Sequence, residues 1–411
     1  MATVRINAER LQSRLTELAR IGRTPEGGVT RLSYRKDHAD SVRLVARWMR
    51  EAGAETGLDP WGNLFGLVPG AVGALSPVAA GSHLDTVPNG GMFDGALGVL
   101  AAVEVAASLH DARAKLRHPL LLLGFAEEEG TSFGIGCLGA LGVAGTGPAP
   151  ETIQGPDGTL LSDLLRAFAP GVPRRRMPAP MAAYLELHIE QGPTLAARGA
   201  SLAAVDAVVG IARAVFVFLG EPNHAGTTPM DARRDALWGA ADLIAAVRTL
   251  AGDTAGRAVG TVGRCSVLPG ATNVIPGRAE VTVELRSADG RLLGSLQEHV
   301  EASAREGAGR YGLALEIRPW RAEPPVLLSQ AVRDEICAAA RDLGWPIDVM
   351  PSWAGHDAKV LAAVAPAGMI FVPSAGGISH SPRERTAWED VARGAQALCR
   401  AVERLDASDR V

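Results

Sequence analysis

The sequence predicts an α/β protein in which both ends of the chain build one large domain, a mixed sheet sandwiched by helices, around an inserted ferredoxin-like α+β domain. Three observations carry this. Apolar runs of strand length alternate with amphipathic helical segments over residues 1–211. Residues 212–323 switch to the order strand–helix–strand–strand–helix–strand, with alternating strands. Residues 324–411 return to the first pattern. A chain of 411 residues also exceeds the usual size of one domain.

In order, residues 5–22 and 38–53 place Leu11, Leu15 and Leu18, then Val42, Val45, Trp48 and Met49, at helical spacing. Strands are expected at 63–68 and 78–80, a buried helix at 96–109, and a central strand at LLLLGFA, 120–126. In the insert, ARAVFVFLG (212–220), 258–267, AEVTVELR (279–286) and 313–320 read as strands, and 237–250 and 292–305 as helices. The closing part reads as a helix at 329–343, a short strand at 348–350, a helix start at 356–363, a strand at 368–372 and a helix at 386–405.

Composition excludes several classes. A formal charge of -4 and a pI near 6.2 give no footing for nucleic acid or an anionic membrane, and Arg174-Arg175-Arg176 reads as a solvated loop. The cysteines Cys137, Cys265, Cys337 and Cys399 form no CxxC pair and read as reduced thiols. No apolar stretch is long enough to span a bilayer, and the N-terminus lacks a signal-peptide pattern, so a soluble, cytoplasmic protein is expected.

Chemistry-bearing residues recur at the ends of the expected strands. His83 and Asp85 follow the strand 78–80, and Asp94 begins the next helix. Glu127, Glu128 and Glu129 follow LLLLGFA, His188 lies in YLELHIEQGP, and His380 in GGISHSPRE. Ligand sites in open α/β sheets form beyond the carboxyl ends of the strands, where these residues would converge. Histidine and carboxylate donors without cysteine suit Zn²⁺, Mn²⁺, Ni²⁺ or Co²⁺. Taken singly, each has a bland reading: a histidine bonding within a loop, a glutamate run at a solvated helix start. Their joint placement beside glycines favours a metal site. Gly90, Gly91 and Gly95 would let the backbone turn tightly there. His38, His110, His118 and His299 read as ordinary surface residues.

The ordered motifs HLDTVPNGGMFDGALGVLAAVE, AEEEGTSFG, ELHIEQGP, NHAGTTPM, ATNVIPG, ELRS, AGHDA and GISHSPRE resemble the amidase, hydantoinase/carbamoylase group of M20-type metallopeptidase-like enzymes, from about Gly28 to Glu384. The resemblance implies an M20-type catalytic domain holding two divalent metal ions, with an inserted lid and dimerisation domain. It implies that His83 and His188 hold one ion, Glu128 and His380 the other, that Asp94 bridges, and that Glu127 is the general base and acid. Asp85 would fix the His83 tautomer from behind; its alternative is a loop aspartate making an Asx-turn. Gln191, His224, Asn273, Arg286 and His356 would bind substrate, Arg286 through its planar fork to a carboxylate and His224 and Asn273 as donors to a carbonyl. On bare pattern, His224 caps a turn, Asn273 is a loop residue and Arg286 an exposed strand charge. The TSFGIG segment departs from the arginine-bearing form usual in the group, a difference that bears on substrate choice.

The function so implied is hydrolysis of an N-carbamoyl-L-amino acid, a small ureido acid, to amino acid, ammonia and carbon dioxide by a homodimer paired through the lid. Allantoate is the runner-up, β-ureidopropionate third. An aminoacylase or peptidase is disfavoured because such relatives usually carry an acidic residue at the place of His188. A binding protein without catalysis is disfavoured because every implied ligand is present.

Overall fold

A computed structural model describes residues 3–408; the outermost residues of the expected terminal spans lie outside it. By internal contacts the chain divides into one unit formed by residues 1–206 and 327–411 and a second formed by 207–326. The first carries strands β1 (Glu55–Leu58), β2 (Leu64–Val68), β3 (Val78–His83), β4 (Leu120–Phe125), β5 (Ala183–Ile189) and β6 (Ala203–Val208). The second carries β7 (Gly210–Leu219), β8 (Ala258–Leu268), β9 (Arg278–Ser287), β10 (Ala314–Ile317) and β11 (Arg321–Glu323). β12 (Val326–Leu327), β13 (Asp348–Ser352) and β14 (Ala367–Val372) complete the list.

The large sheet has the order β1-β2-β4-β3-β5-β14-β6-β12, with β13 on β6. Its four central strands, β4, β3, β5 and β14, run parallel, while β1, β2 and β6 pair antiparallel with their neighbours. Those four strands are buried along their whole length. That is why their sequences read as unbroken apolar runs. The helix Ala96–Asp111 is buried from Ala96 to Leu109, and its alanines let it lie close to the sheet. The C-terminal helix Trp388–Ala407 and the helices Ala8–Leu18 and Lys36–Glu51 show only one apolar face each to the same core. Parallel strands deliver their carboxyl ends to one edge of the sheet, and there β3, β4, β5 and β14 end in His83, Phe125, Ile189 and Val372.

The second unit has the sheet order β10-β7-β9-β8, with β11 also on β7. Two helices, Ala236–Gly252 and Gly290–Arg310, pack with its buried face in a separate core. Each is N-capped by an aspartate side chain, Asp235 on the Leu237 N–H and Asp289 on those of Arg291 and Leu292.

The elements missing from the sequence reading are short or lack a period: β1, β5, β6, β11, β12 and the helices Leu138–Ala144, Leu161–Ala167 and Thr194–Arg198. Two of the four histidines assigned to the surface are buried instead. His38 is 1% exposed, its Nδ1 accepting from the Tyr34 N–H. His118 is 5% exposed and bonds through Nδ1 to the Ser76 carbonyl.

Candidate active site

The loop after β3 turns back at Gly95, whose φ of +62° lies in the left-handed region and whose Cβ, if present, would fall 2.4 Å from the His83 ring. Gly90 and Gly91 do not have positive φ among the described residues, so only Gly95 makes the turn by its backbone freedom. The result brings Asp94, 4% exposed, between three histidines. Its Oδ1 lies 3.4 Å from His83 Nε2 and 3.3 Å from His188 Nε2. Its Oδ2 lies 3.4 Å from His380 Nε2.

Both buried imidazoles have their other nitrogen committed. His83 Nδ1 is 3.0 Å from the Asp85 carbonyl and His188 Nδ1 is 2.9 Å from the Ile189 carbonyl. With the Nδ1 proton donated there, Nε2 carries the lone pair, and His188 Nε2 indeed accepts the Gly95 N–H at 3.2 Å. Asp85 therefore orients His83 through its main chain; its carboxylate is 3.8 Å from Nδ1. That carboxylate instead accepts the N–H groups of Glu128 and Glu129, each at 3.2 Å. It fixes the glutamate loop as well as the histidine.

Within the triplet Glu127-Glu128-Glu129, Glu128 and Glu129 lie among the histidines. Glu127 has φ +61°, a left-handed kink. Its Oε1 accepts the Ser132 and Phe133 N–H groups at 2.8 and 2.6 Å, and the residue is fully buried. One oxygen of Glu127 is thus committed to the Ser132–Phe133 main chain, and the other is buried without a hydrogen-bond partner. Glu129, rather than Glu128, reaches His380, with Oε2 at 3.5 Å from Nε2. Glu128 points between them: Oε2 lies 3.8 Å from His83 Nε2, while the Cys137 thiol donates to Oε1 at 3.3 Å.

Two groups of donors thus share Asp94: His83, Asp94 and His188, and Asp94, Glu129 and His380. The chemistry of these donors fits divalent cations. Burial, then the charge of Asp94, pushes the Glu129 carboxyl up to about 8, and burial pushes Glu128 to about 7. Glu129 Oε1 is buried without a hydrogen-bond partner. A cation among these oxygens removes both penalties.

Gln191, in left-handed backbone at φ +60°, donates through Nε2 to Asp94 Oδ2 at 2.8 Å and lies 3.3 Å from His380 Nε2. His356 is 1% exposed; its ring packs edge-on to His188 at 4.6 Å and its Nε2 meets Ser352 Oγ at 2.8 Å. Burial holds its pKa well below that of a free imidazole. His380, also left-handed at φ +53°, is half exposed, and burial is outweighed by its bond to Asp94, which raises it to about 9. Three strained residues within one site mark a backbone shaped for function.

The remaining candidates lie in the second unit. His224 and Asn273 are exposed and adjacent: the two loops pair, with the Ala225 N–H on the Asn273 carbonyl at 2.9 Å. They lie beyond the Arg278 end of β9. Arg286 sits at the other end of that strand, its Nε donating to Glu284 at 2.7 Å. Eight residues of strand separate the ends by about 26 Å, so one copy of this unit does not gather all three around one small molecule.

Sequence reasoning gave no role to several residues that the site uses. Glu384 accepts the Phe93 and Asp94 N–H groups, and Ser379 bonds Asp94 Oδ2. Arg31 is fully buried beside Asp85, with Nε on the Leu84 carbonyl at 3.0 Å. Glu186 is buried under His188, accepting from Ser82, Tyr184 and the Ala358 N–H. Glu186 lies inside an apolar strand, and Ser379 and Glu384 share a motif with His380; Arg31, in a loop, carries no such hint.

Residues 79–404 match the family described as Peptidase family M20/M25/M40. An N-carbamoyl-L-amino acid amidohydrolase of Geobacillus stearothermophilus is 39% identical over 97% of this chain and 99% of its own. An allantoate amidohydrolase of Escherichia coli (strain K12) is 33% identical over 94% and 95%. The crystal structure of a hydantoinase/carbamoylase family amidase from Burkholderia multivorans, 35% identical, superposes with a TM-score of 0.93 over 98% of this chain and 99% of that one. The chain belongs to the M20/M25/M40 peptidase family, among its hydantoinase/carbamoylase amidases, and is a hydrolase of carbon–nitrogen bonds.

Proposed function

We propose that the protein hydrolyses the ureido C–N bond of N-carbamoyl-L-amino acids with two divalent ions, Zn²⁺ or Mn²⁺, Ni²⁺ or Co²⁺, held by the donor sets that share Asp94. The observation that carries this is the single buried carboxylate with one oxygen toward His83 and His188 and the other toward His380. His83, His188 and Asp94 would hold one ion, and Asp94, Glu129 and His380 the other. Bound there, a pair of ions supplies Lewis acidity to the ureido carbonyl and acidifies water toward neutral pH.

Glu128 has the place for proton transfer. One oxygen is fixed by Cys137 and the other faces the histidines, so it takes the proton of the attacking water and returns it to the leaving nitrogen. Arg286 receives the substrate carboxylate, and His224 and Asn273 donate to the carbonyl. Gln191 and His356 complete the pocket beside Asp94 and His188. The spread of Arg286 and His224 across β9 supports a site served by two copies of the second unit, and hence a homodimer. Its sheet ends in the 11-residue β8, an edge strand carrying exposed Val259 and Leu268, beside a helix with exposed Leu237 and Ile244. No described helix is long and apolar enough to cross a membrane; the substrate class and pairing fit a cytoplasmic enzyme.

Allantoate, which has the same carboxylate and two ureido groups, is the second reading, favoured by the similarity to the allantoate amidohydrolase. Comparing kcat/KM for carbamoyl amino acids and allantoate at equal metal loading tests the choice. A preference for allantoate above tenfold selects the second reading.

A further inference from the structure

We propose that Ser379 and Glu384 are positioning residues that hold the shared carboxylate Asp94 and set how tightly the His380–Glu129 donors retain a cation, an inference that rests on the two-ion reading above. Glu384 is 5% exposed and lies 290 residues from Asp94 in the chain. Its Oε1 accepts the Phe93 N–H at 2.9 Å and the Asp94 N–H at 3.2 Å. Its Oε2 meets Ser379 Oγ at 3.0 Å, and the same hydroxyl lies 2.9 Å from Asp94 Oδ2. The clamp therefore reaches Asp94 twice, by its main chain and, through the one Ser379 hydroxyl proton that Asp94 Oδ2 and Glu384 Oε2 share, by one side-chain oxygen.

The glycine at position 91 makes room for this. A Cβ there would lie 1.9 Å from Glu384 Oε1. Phe93 is pinned alongside, its ring edge-on to Trp388 at 5.3 Å. Ser379 and Glu384 also flank His380, so one loop carries a cation donor and both parts of the clamp.

The consequence is asymmetric. Asp94 Oδ1, facing His83 and His188, is not touched by the clamp, whereas Oδ2, facing His380, is held by Ser379 and Gln191. Loosening the clamp leaves Oδ2 held by Gln191 alone and the Asp94 main chain unpinned, so its position toward His380 is less fixed, while the other donors stay in place. Outer hydrogen-bond partners of metal ligands typically govern affinity by about 10–100-fold.

The test is calorimetric titration of metal-stripped protein with Mn²⁺ alone, alongside activity at limiting and excess Mn²⁺. Unaltered protein takes up two ions. Glu384→Ala is expected to weaken one of the two ions by about 10–100-fold and leave the other unchanged. Its kcat falls at limiting Mn²⁺ and recovers in excess, with KM constant. Glu384→Gln keeps an acceptor oxygen for the two N–H groups and stays within about threefold of the unaltered protein, well short of that range. A folded Glu384→Ala protein with both affinities unchanged overturns the proposal. Should that variant fail to fold, Ser379→Ala, which deletes one hydroxyl, decides by the same criterion. Uptake of fewer than two ions by unaltered protein refutes the two-ion reading before any variant is made.

Discussion

Exchanging each carboxylate of the glutamate triplet for its amide separates the three roles proposed for it. Glu128→Gln removes the proton acceptor but preserves size and the contact with Cys137. Loss of a positioned general base costs about 10²–10⁴-fold in kcat, or about 3–5 kcal/mol of barrier. Both ions should remain bound. Glu129→Gln removes the charge nearest His380 and should lower metal content, with activity partly restored by excess metal. Glu127→Gln keeps an oxygen for the Ser132 and Phe133 N–H groups, so turnover should stay within a few-fold. Glu127→Ala, by contrast, strands two buried donors and should cost about 3 kcal/mol of folding stability without touching the chemistry of the site. The assay is ammonia release from an N-carbamoyl amino acid at fixed, measured metal content, with denaturant unfolding in parallel. Near-normal kcat in Glu128→Gln together with a collapse in metal-replete Glu127→Gln would refute the register.

Three further outcomes are expected. Removing metal with a chelator should abolish activity while far-UV circular dichroism persists, since the core of the large unit is built from side chains alone; activity surviving verified demetallation contradicts the mechanism. Subunit exchange between inactive His224→Ala and inactive Glu128→Gln proteins should return about a quarter of normal activity, because half the dimers are mixed and each mixed dimer holds one intact site; no recovery in confirmed mixed dimers means that His224 serves its own subunit. Burial lowers His38 to about 4, against 6.5 for a free imidazole. The unfolded chain therefore binds the extra proton, and this stability is full above pH 6.5 and drains away as pH falls toward 4. Between pH 7.5 and 5 the loss should be about 2 kcal/mol, and an identical pH slope in His38→Gln would exclude His38 as its source.

Much of the architecture was legible because burial writes itself into sequence. Strands covered on both faces need continuous apolar side chains, as in Leu120–Phe125, and β9 shows its half-solvated alternation directly. His83, Asp94, His188 and His380 stood out because each lies at a strand end or in the loop or helix start that follows one, where a loop must carry chemistry. The glutamate register was not. Left-handed backbone at a non-glycine residue leaves no mark in composition, and Glu127 adopts it just before the two glutamates that lie among the histidines. Burial of His38 was hidden for a different reason: its partners are the Tyr34 main chain and the rings of Tyr34 and Phe168, contacts that no local period announces. Glu384 meets the Phe93 and Asp94 main chain from almost three hundred residues away.

The central claim is that a pair of ions held through Asp94 serves hydrolysis of an N-carbamoyl-L-amino acid. It is tested most directly by kcat/KM for L- and D-N-carbamoyl amino acids, allantoate and β-ureidopropionate, measured as ammonia release from protein loaded with two equivalents of Mn²⁺. The account predicts the L-carbamoyl amino acid as the best substrate, with activity lost in Asp94→Asn. Absence of ammonia from every ureido acid by protein shown to hold both ions would contradict it.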